Sequence, residues 1–180
     1  MLALHFCSDR EECHAVLQEL LALVERRVAA GEGFPPEDAV RVFWVNPVAD
    51  LRVMNLLEEC GGRLCGTELL FCHALDPIPT DLPPLEALAR MALADPMVGP
   101  ARDRAERIVR EARALEAEAL VISRIPGASH CGREGLVLAE RIREETSMPV
   151  LEIEVPPLTD AMAPSLQGRL QALVEAVRES

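Results

Sequence analysis

Four short apolar runs, residues 41–46 (RVFWVN), 63–66 (RLCG), 119–123 (ALVIS) and 149–155 (PVLEIEV), alternate along the chain with stretches of helical periodicity. This alternation limits the fold more than any other feature. Short runs that are apolar throughout suit strands covered on both faces. Strands separated by helices join through right-handed crossovers into a parallel sheet. The expected fold is an open α/β domain: a parallel sheet of about four strands with helices on both faces, flavodoxin-like or Rossmann-like.

The remaining punctuation agrees. Val16, Leu17, Leu20, Leu21 and Val24 recur at helical spacing between residues 9 and 30, and GEGFPPED then ends that helix with two glycines and two prolines. A second helix over residues 49–60 is stopped by Gly61 and Gly62. Residues 67–84 (TELLFCHALDPIPTDLPP) form a long connection with four prolines, the kind of segment that tends to carry function. Helices are expected over 85–94 and 101–116, then from the end of RIPGASHCGREG (124–135) to about 145, and finally over 164–177. With 180 residues and 49% hydrophobic composition, one domain can bury roughly 70% of its unfolded surface. It comprises a leading helix and loop (1–36) and the βα repeats (41–180).

Charge excludes one class of partner. There are 18 arginines, no lysine and 30 acidic residues, for a net charge of −12. No basic run offers a face to a phosphate backbone, so no nucleic acid is expected. No segment reaches the ~18 apolar residues of a membrane helix, and the N-terminus has no basic stretch followed by a long apolar one. A cytoplasmic protein with no membrane contact is expected. Cys7, Cys13, Cys60, Cys65, Cys72 and Cys131 then read as thiols or metal ligands rather than disulfides. Their spacing matches no zinc template.

Ligands of open α/β sheets bind beyond the C-terminal strand ends, where strand order reverses. That rule gathers Asn46 after the first strand, Cys65, Glu68 and Cys72 in or after the second, and Ser129, His130 and Cys131 after the third. A thiol at a helix start is favoured as thiolate, the form that attacks electrophiles or binds metals. Equally, Cys131 can fill a gap in a loop, and Cys65, inside a strand, can be core. His130 offers a general acid or base, Glu68 a carboxylate for catalysis, and Ser129 and Asn46 polar contacts to a cofactor; each can instead be simply solvated. No G-x-x-x-x-G-K-[ST] occurs, and no G-x-G-x-x-G opens a helix after the first strand, which disfavours nucleotides. The Glu and Arg clusters on the last three helices read as solvated, salt-bridged faces.

The order RVFWVNP, LLEECGG, a G-T-E loop, PLEALARMALADP, an Arg-rich helix leading to EALVISRIPGASHC, then MPVLEIEV and SLQGRLQALVEAV resembles the C-terminal domain of the 2-hydroxyacyl-CoA dehydratase family. That family includes the 2-hydroxyglutaryl-CoA dehydratase D component and the benzoyl-CoA reductase subunits. The similarity covers nearly the whole chain and roughly the second half of a usual family subunit.

The resemblance implies a 4Fe-4S cluster held between two Rossmann-like domains, and paired subunits acting on an acyl-CoA after an ATP-dependent activator protein delivers an electron. Cys131 matches the family cysteine that follows the third strand, and so becomes the expected thiolate ligand. Other family cysteines belong to the preceding domain. The remaining ligands are then expected from a companion subunit or a separately encoded N-terminal domain, or from Cys65 and Cys72; alternatively the cluster has been lost. Three readings follow: a half-length subunit of a dehydratase or reductase, a non-catalytic α/β binding or assembly module with a degenerate site, and a Cys-His hydrolase or transferase.

Overall fold

The computed structural model describes residues 9–33, 38–69 and 77–179, with the backbone alone for 129–133. The chain divides into two compact units, Met1–Glu37 and Asp38–Ser180. The first contains helix α1 (Arg10–Ala29), capped by Asp9, whose Oδ1 accepts from the Glu11 N–H at 2.8 Å. A capping carboxylate followed by Glu11 and Glu12 places negative charge where the helix dipole favours it. None of the α1 residues is buried, and Leu20, Leu21, Val24 and Val28 are exposed.

The second unit runs β1 (Val40–Val45), α2 (Arg52–Glu59), β2 (Gly62–Glu68), α3 (Pro84–Ala94), α4 (Ala101–Ala114), β3 (Ala119–Arg124), α5 (Ser129–Glu145), β4 (Val150–Glu154) and α6 (Ala163–Arg178). Among its described residues four strands, all parallel, lie in the order β2-β1-β3-β4. This is the open α/β sheet expected from the alternation, and its order is of the flavodoxin-like kind. Strand order reverses between β1 and β3, so the crevice beyond their C-terminal ends is the predicted place for a ligand.

Alternate residues of the central strands serve opposite faces. Val42, Trp44, Ala119 and Val121 join Val53 and Leu57 of α2 and Leu166, Leu170 and Val174 of α6 in one core layer. Phe43, Val45, Leu120 and Ile122 join Ala105, Ile108 and Ala112 of α4 and Leu138, Ala139 and Ile142 of α5 in the other. Both layers are built from side chains whose complete burial contributes about 1.5–3 kcal/mol each, which fixes β1 and β3 as the rigid middle of the sheet.

Two elements differ from the sequence expectation. β2 is longer than RLCG, reaching Glu68, with a register shift opposite Val42 and Phe43 that leaves Cys65 as the extra residue. Gly66 follows it, and a Cβ there would press on Phe43 Cδ2 at 2.9 Å. The bulge therefore requires the smallest residue. Helix α5 starts at Ser129, not in the run beginning at Leu136, so the glycine-rich segment is not a loop to its end. Gly132 and Gly135 lower helix propensity by about 1 kcal/mol each relative to alanine. Gly135 is buried against β3, where a Cβ would stand 3.6 Å from the Ile122 side chain, an ordinary contact distance.

Candidate functional site

The crevice between β1 and β3 is filled by a buried polar network. Asn46, the first residue past β1, adopts a left-handed φ of 69°, a conformation asparagine tolerates better than most residues. Its N–H donates to the Glu68 carbonyl at 3.0 Å and its Nδ2 to the Ser123 carbonyl at 3.1 Å. Its backbone carbonyl faces the Ser123 hydroxyl at 3.0 Å. Asn46 thus stitches β1 to both neighbours at the level where the strands end. Ser123 Oγ also accepts from Trp44 Nε1 at 2.9 Å.

Arg104, in the first turn of α4, enters the same crevice and is only 3% exposed. Its Nε and Nη2 donate to the two carboxylate oxygens of Glu68 at 2.9 and 2.7 Å, a bidentate pair with an equally buried partner. Nη2 also donates to Asn46 Oδ1 at 2.7 Å, and Nη1 to Glu134 Oε2 of α5 at 2.9 Å. Taking two charges out of water costs several kcal/mol per ion, which only close, multiply hydrogen-bonded geometry can offset. The guanidinium fork meets that condition.

The structure brings together only part of the predicted set. Asn46 and Glu68 meet in the network. Ser129, His130 and Cys131 lie in the first turn of α5, on the C-terminal side of β3; their side chains, like all of Cys72, fall outside the described residues. Cys65 goes elsewhere. It packs against the second core layer, and burial pushes its thiol above the ordinary range, an effect that nearby Arg41 and Arg63 partly oppose. Those neighbours sit near the N-terminal ends of the strands, away from Asn46. Cys60 is drawn against the first core layer and likewise raised, mainly by burial. Among the described residues no group of three or more His, Cys, Asp or Glu side chains could hold a metal ion.

Arg104 and Glu134 depart from the expectation that the charges of the last helices are solvated. Neighbouring arginines do follow it: Arg102 pairs with Glu106 and Arg107 with Glu111, each at i,i+4 on the surface of α4. Arg104 has Ile108 at that spacing, and so lies on the apolar stripe of Ala105, Ile108, Val109 and Ala112. A charge on the core-facing stripe was the available signal for it. Ser123, the last residue of an otherwise apolar strand interior, gave a weaker one of the same kind.

Beside this network, a cleft of about 700 Å3 opens at the ends of β3 and β4 among Arg124, Glu154, Pro156, Met162, Ser165 and Arg169. Arg124 Nη2 stands 3.7 Å from the Glu154 carboxylate, while its Nε is buried with no hydrogen-bond partner among the described residues. Among the described residues, no helix is long and apolar enough to cross a membrane.

Compared with known proteins, residues 1–179 match the family model for the 2-hydroxyglutaryl-CoA dehydratase D component. No curated protein matches the chain.

Proposed function

Because this chain belongs to the 2-hydroxyglutaryl-CoA dehydratase D-component family, we propose that it works as one component of an acyl-CoA dehydratase, with Cys131 a thiolate ligand to a 4Fe-4S cluster completed by a companion polypeptide or domain. The observation that carries this reading is the position of Cys131. Its backbone lies in the first turn of α5, beyond the C-terminal end of β3, and the helix has no side-chain cap at Ala128. First-turn N–H groups without a capping side chain, together with the positive end of the helix dipole, favour a thiolate there.

Cys65 and Cys60 are held in the core layers with raised thiols, which favours outside donors over Cys65 as the source of the remaining ligands. One thiolate alone does not hold a cluster. The D-component family implies partner subunits in a multi-component enzyme, and an ATP-dependent activator protein is the proposed electron donor. When bound, an iron–sulfur cluster supplies one-electron transfer to the acyl-CoA.

The chain's own residues then divide by role. His130, in the same turn as Cys131, offers an imidazole for proton transfer, and Ser129 a hydroxyl for contact with the bound group. Asn46 and Glu68, buried and engaged with Arg104, act on the site by holding its frame. The cleft with Arg124 and Arg169 offers guanidinium groups to the phosphates of the acyl-CoA.

Anaerobic co-expression with the neighbouring genes tests the reading through iron, acid-labile sulfide and the visible spectrum of the purified complex, with and without Cys131→Ser. A cluster that disappears in the variant is expected. Absence of iron from the wild-type complex would overturn the dehydratase reading, and a cluster persisting in Cys131→Ser would overturn the role of Cys131.

A further inference from the structure

We infer that the Arg104–Glu134 ion pair is the positioning device for the first turn of α5, the turn that carries Ser129, His130 and Cys131. The functional meaning of this inference rests on the reading of Cys131 above; its structural content does not.

Consider what holds α5 in place. From Leu138 onward the helix is anchored by apolar contact, with Leu138, Ala139 and Ile142 fully buried in the second core layer. Ahead of Leu138 such anchors are scarce among the described side chains. Leu136 and Val137 are 57% and 45% exposed, and Gly135 presents only backbone to Ile122. The preceding residue, Ala128, supplies no cap. A helix end without a cap or an apolar staple frays, yet this one sits at the strand-order reversal, where placement matters most.

Glu134 supplies the tie. Its carboxylate, 21% exposed, receives the Arg104 Nη1 at 2.9 Å. Glu134 lies three residues after Cys131, so the two share a face of α5 one turn apart. Arg104 is itself immobilised by the bidentate Glu68 pair and by Asn46 Oδ1. Through one guanidinium, the first turn of α5 is therefore keyed to the C-terminal ends of β1 and β2.

The asymmetry of the two carboxylates gives the network its logic. Glu68 is 3% exposed and bound through both oxygens, so it fixes Arg104. Glu134 is more accessible and, among the described residues, bound by one contact, so it transmits that position to α5. An apolar residue in place of Arg104 would fill the crevice at no desolvation cost. Only a fork of donors can join two strand ends and a helix turn at once.

Glu134→Ala and Glu134→Gln separate positioning from charge, because both remove the negative charge and only glutamine keeps an oxygen to accept from Arg104. The full chain, reduced and free of metal, is examined by hydrogen exchange of the α5 amides of residues 133–137, whose helical bonds run to the first-turn carbonyls, and by the rate of Cys131 alkylation at one pH, located by mass spectrometry. Exchange in Glu134→Ala is expected to be about tenfold faster than in Glu134→Gln, as for loss of one charge-assisted hydrogen bond. Amides of β1 and β3 are expected to be unchanged, and the alkylation rate should separate the same two variants. If alanine and glutamine variants coincide in both measurements, the pair contributes charge alone and the inference falls. Neither measurement needs a cluster, so this result stands apart from the iron and sulfide test of the proposed function.

Discussion

Trp44 and Ser123 meet across the two central strands, the indole N–H donating to the serine Oγ at 2.9 Å with both side chains fully buried. Ser123 then turns its hydroxyl toward the carbonyls of Val45, Asn46 and Pro47 at 3.0–3.1 Å, where β1 leaves the sheet. A single hydroxyl thus serves a core indole and the turn that carries Asn46. Ser123→Ala leaves the Trp44 N–H buried and unpartnered, at a cost of about 1–3 kcal/mol. Because Trp44 is the sole tryptophan, urea unfolding followed by its fluorescence reports this directly: a lower midpoint with an unchanged slope is expected.

Arg104→Met is expected to be far more damaging. It leaves the Glu68 carboxylate buried without its bidentate partner, and breaking such a pair costs about 3–5 kcal/mol. Removing both charges, in Arg104→Met with Glu68→Leu, should recover a substantial part of that loss. Denaturant midpoints of the two single variants, the double variant and the parent complete the cycle. A double variant no more stable than Arg104→Met would show that the loss comes from packing, not from the stranded charge.

Acid sensitivity should centre on Asp50. Its carboxyl is held below the ordinary carboxylate range, first by the Arg52 side chain and then by backbone N–H groups of Arg52 and Leu158. The folded state therefore releases this proton more readily than the unfolded chain does. The stabilising contribution is complete well above the unfolded value of about 3.9 and is lost as pH falls below it toward the lower folded value. Asp50→Asn is expected to lower the denaturation midpoint at pH 6 and to converge with the parent under strongly acid conditions. A constant difference at all pH values would locate the effect in the hydrogen bonds alone.

Cys65 is expected to be the slow thiol. Burial raises it, which leaves it protonated near neutral pH, and the thiol form does not react with alkylating agents at an appreciable rate. Timed alkylation with peptide mapping should modify Cys65 only as the protein unfolds. In the complete complex, Cys65→Ala should leave the iron content unchanged. Loss of iron in that variant would return Cys65 to the ligand set.

The legibility of the chain follows burial. β1 and β3 are readable because RVFWVN and ALVIS are covered on both faces, so their composition is dictated by the two core layers. The start of α5 was not, because Ser129 to Gly135 lacks apolar periodicity and is held by Glu134 through a partner thirty residues earlier in the chain. That Asn46 and Glu68 share one sheet edge was legible because strand ends are predictable from strands. Arg104 was missed because a charged residue on a helix rich in Arg and Glu is ordinarily solvated, and only its alignment with Ile108 marks it as different. Local pattern identifies the strands and helices; contacts between distant residues decide which polar side chains the crevice encloses.

The network of Asn46, Glu68, Arg104 and Glu134 draws on β1, β2, α4 and α5, and this dispersal bears on how the protein is made. Emerging from the ribosome, the chain presents Asn46 and Glu68 well before the arginine that satisfies them, and β1 before β3, its neighbour in the sheet. Closing such distant contacts is slow relative to forming helices. The nascent chain must therefore carry the edge of β1 and the carboxylate of Glu68 open to water until α4 and β3 arrive, and the turn bearing Cys131 takes its final place only after both.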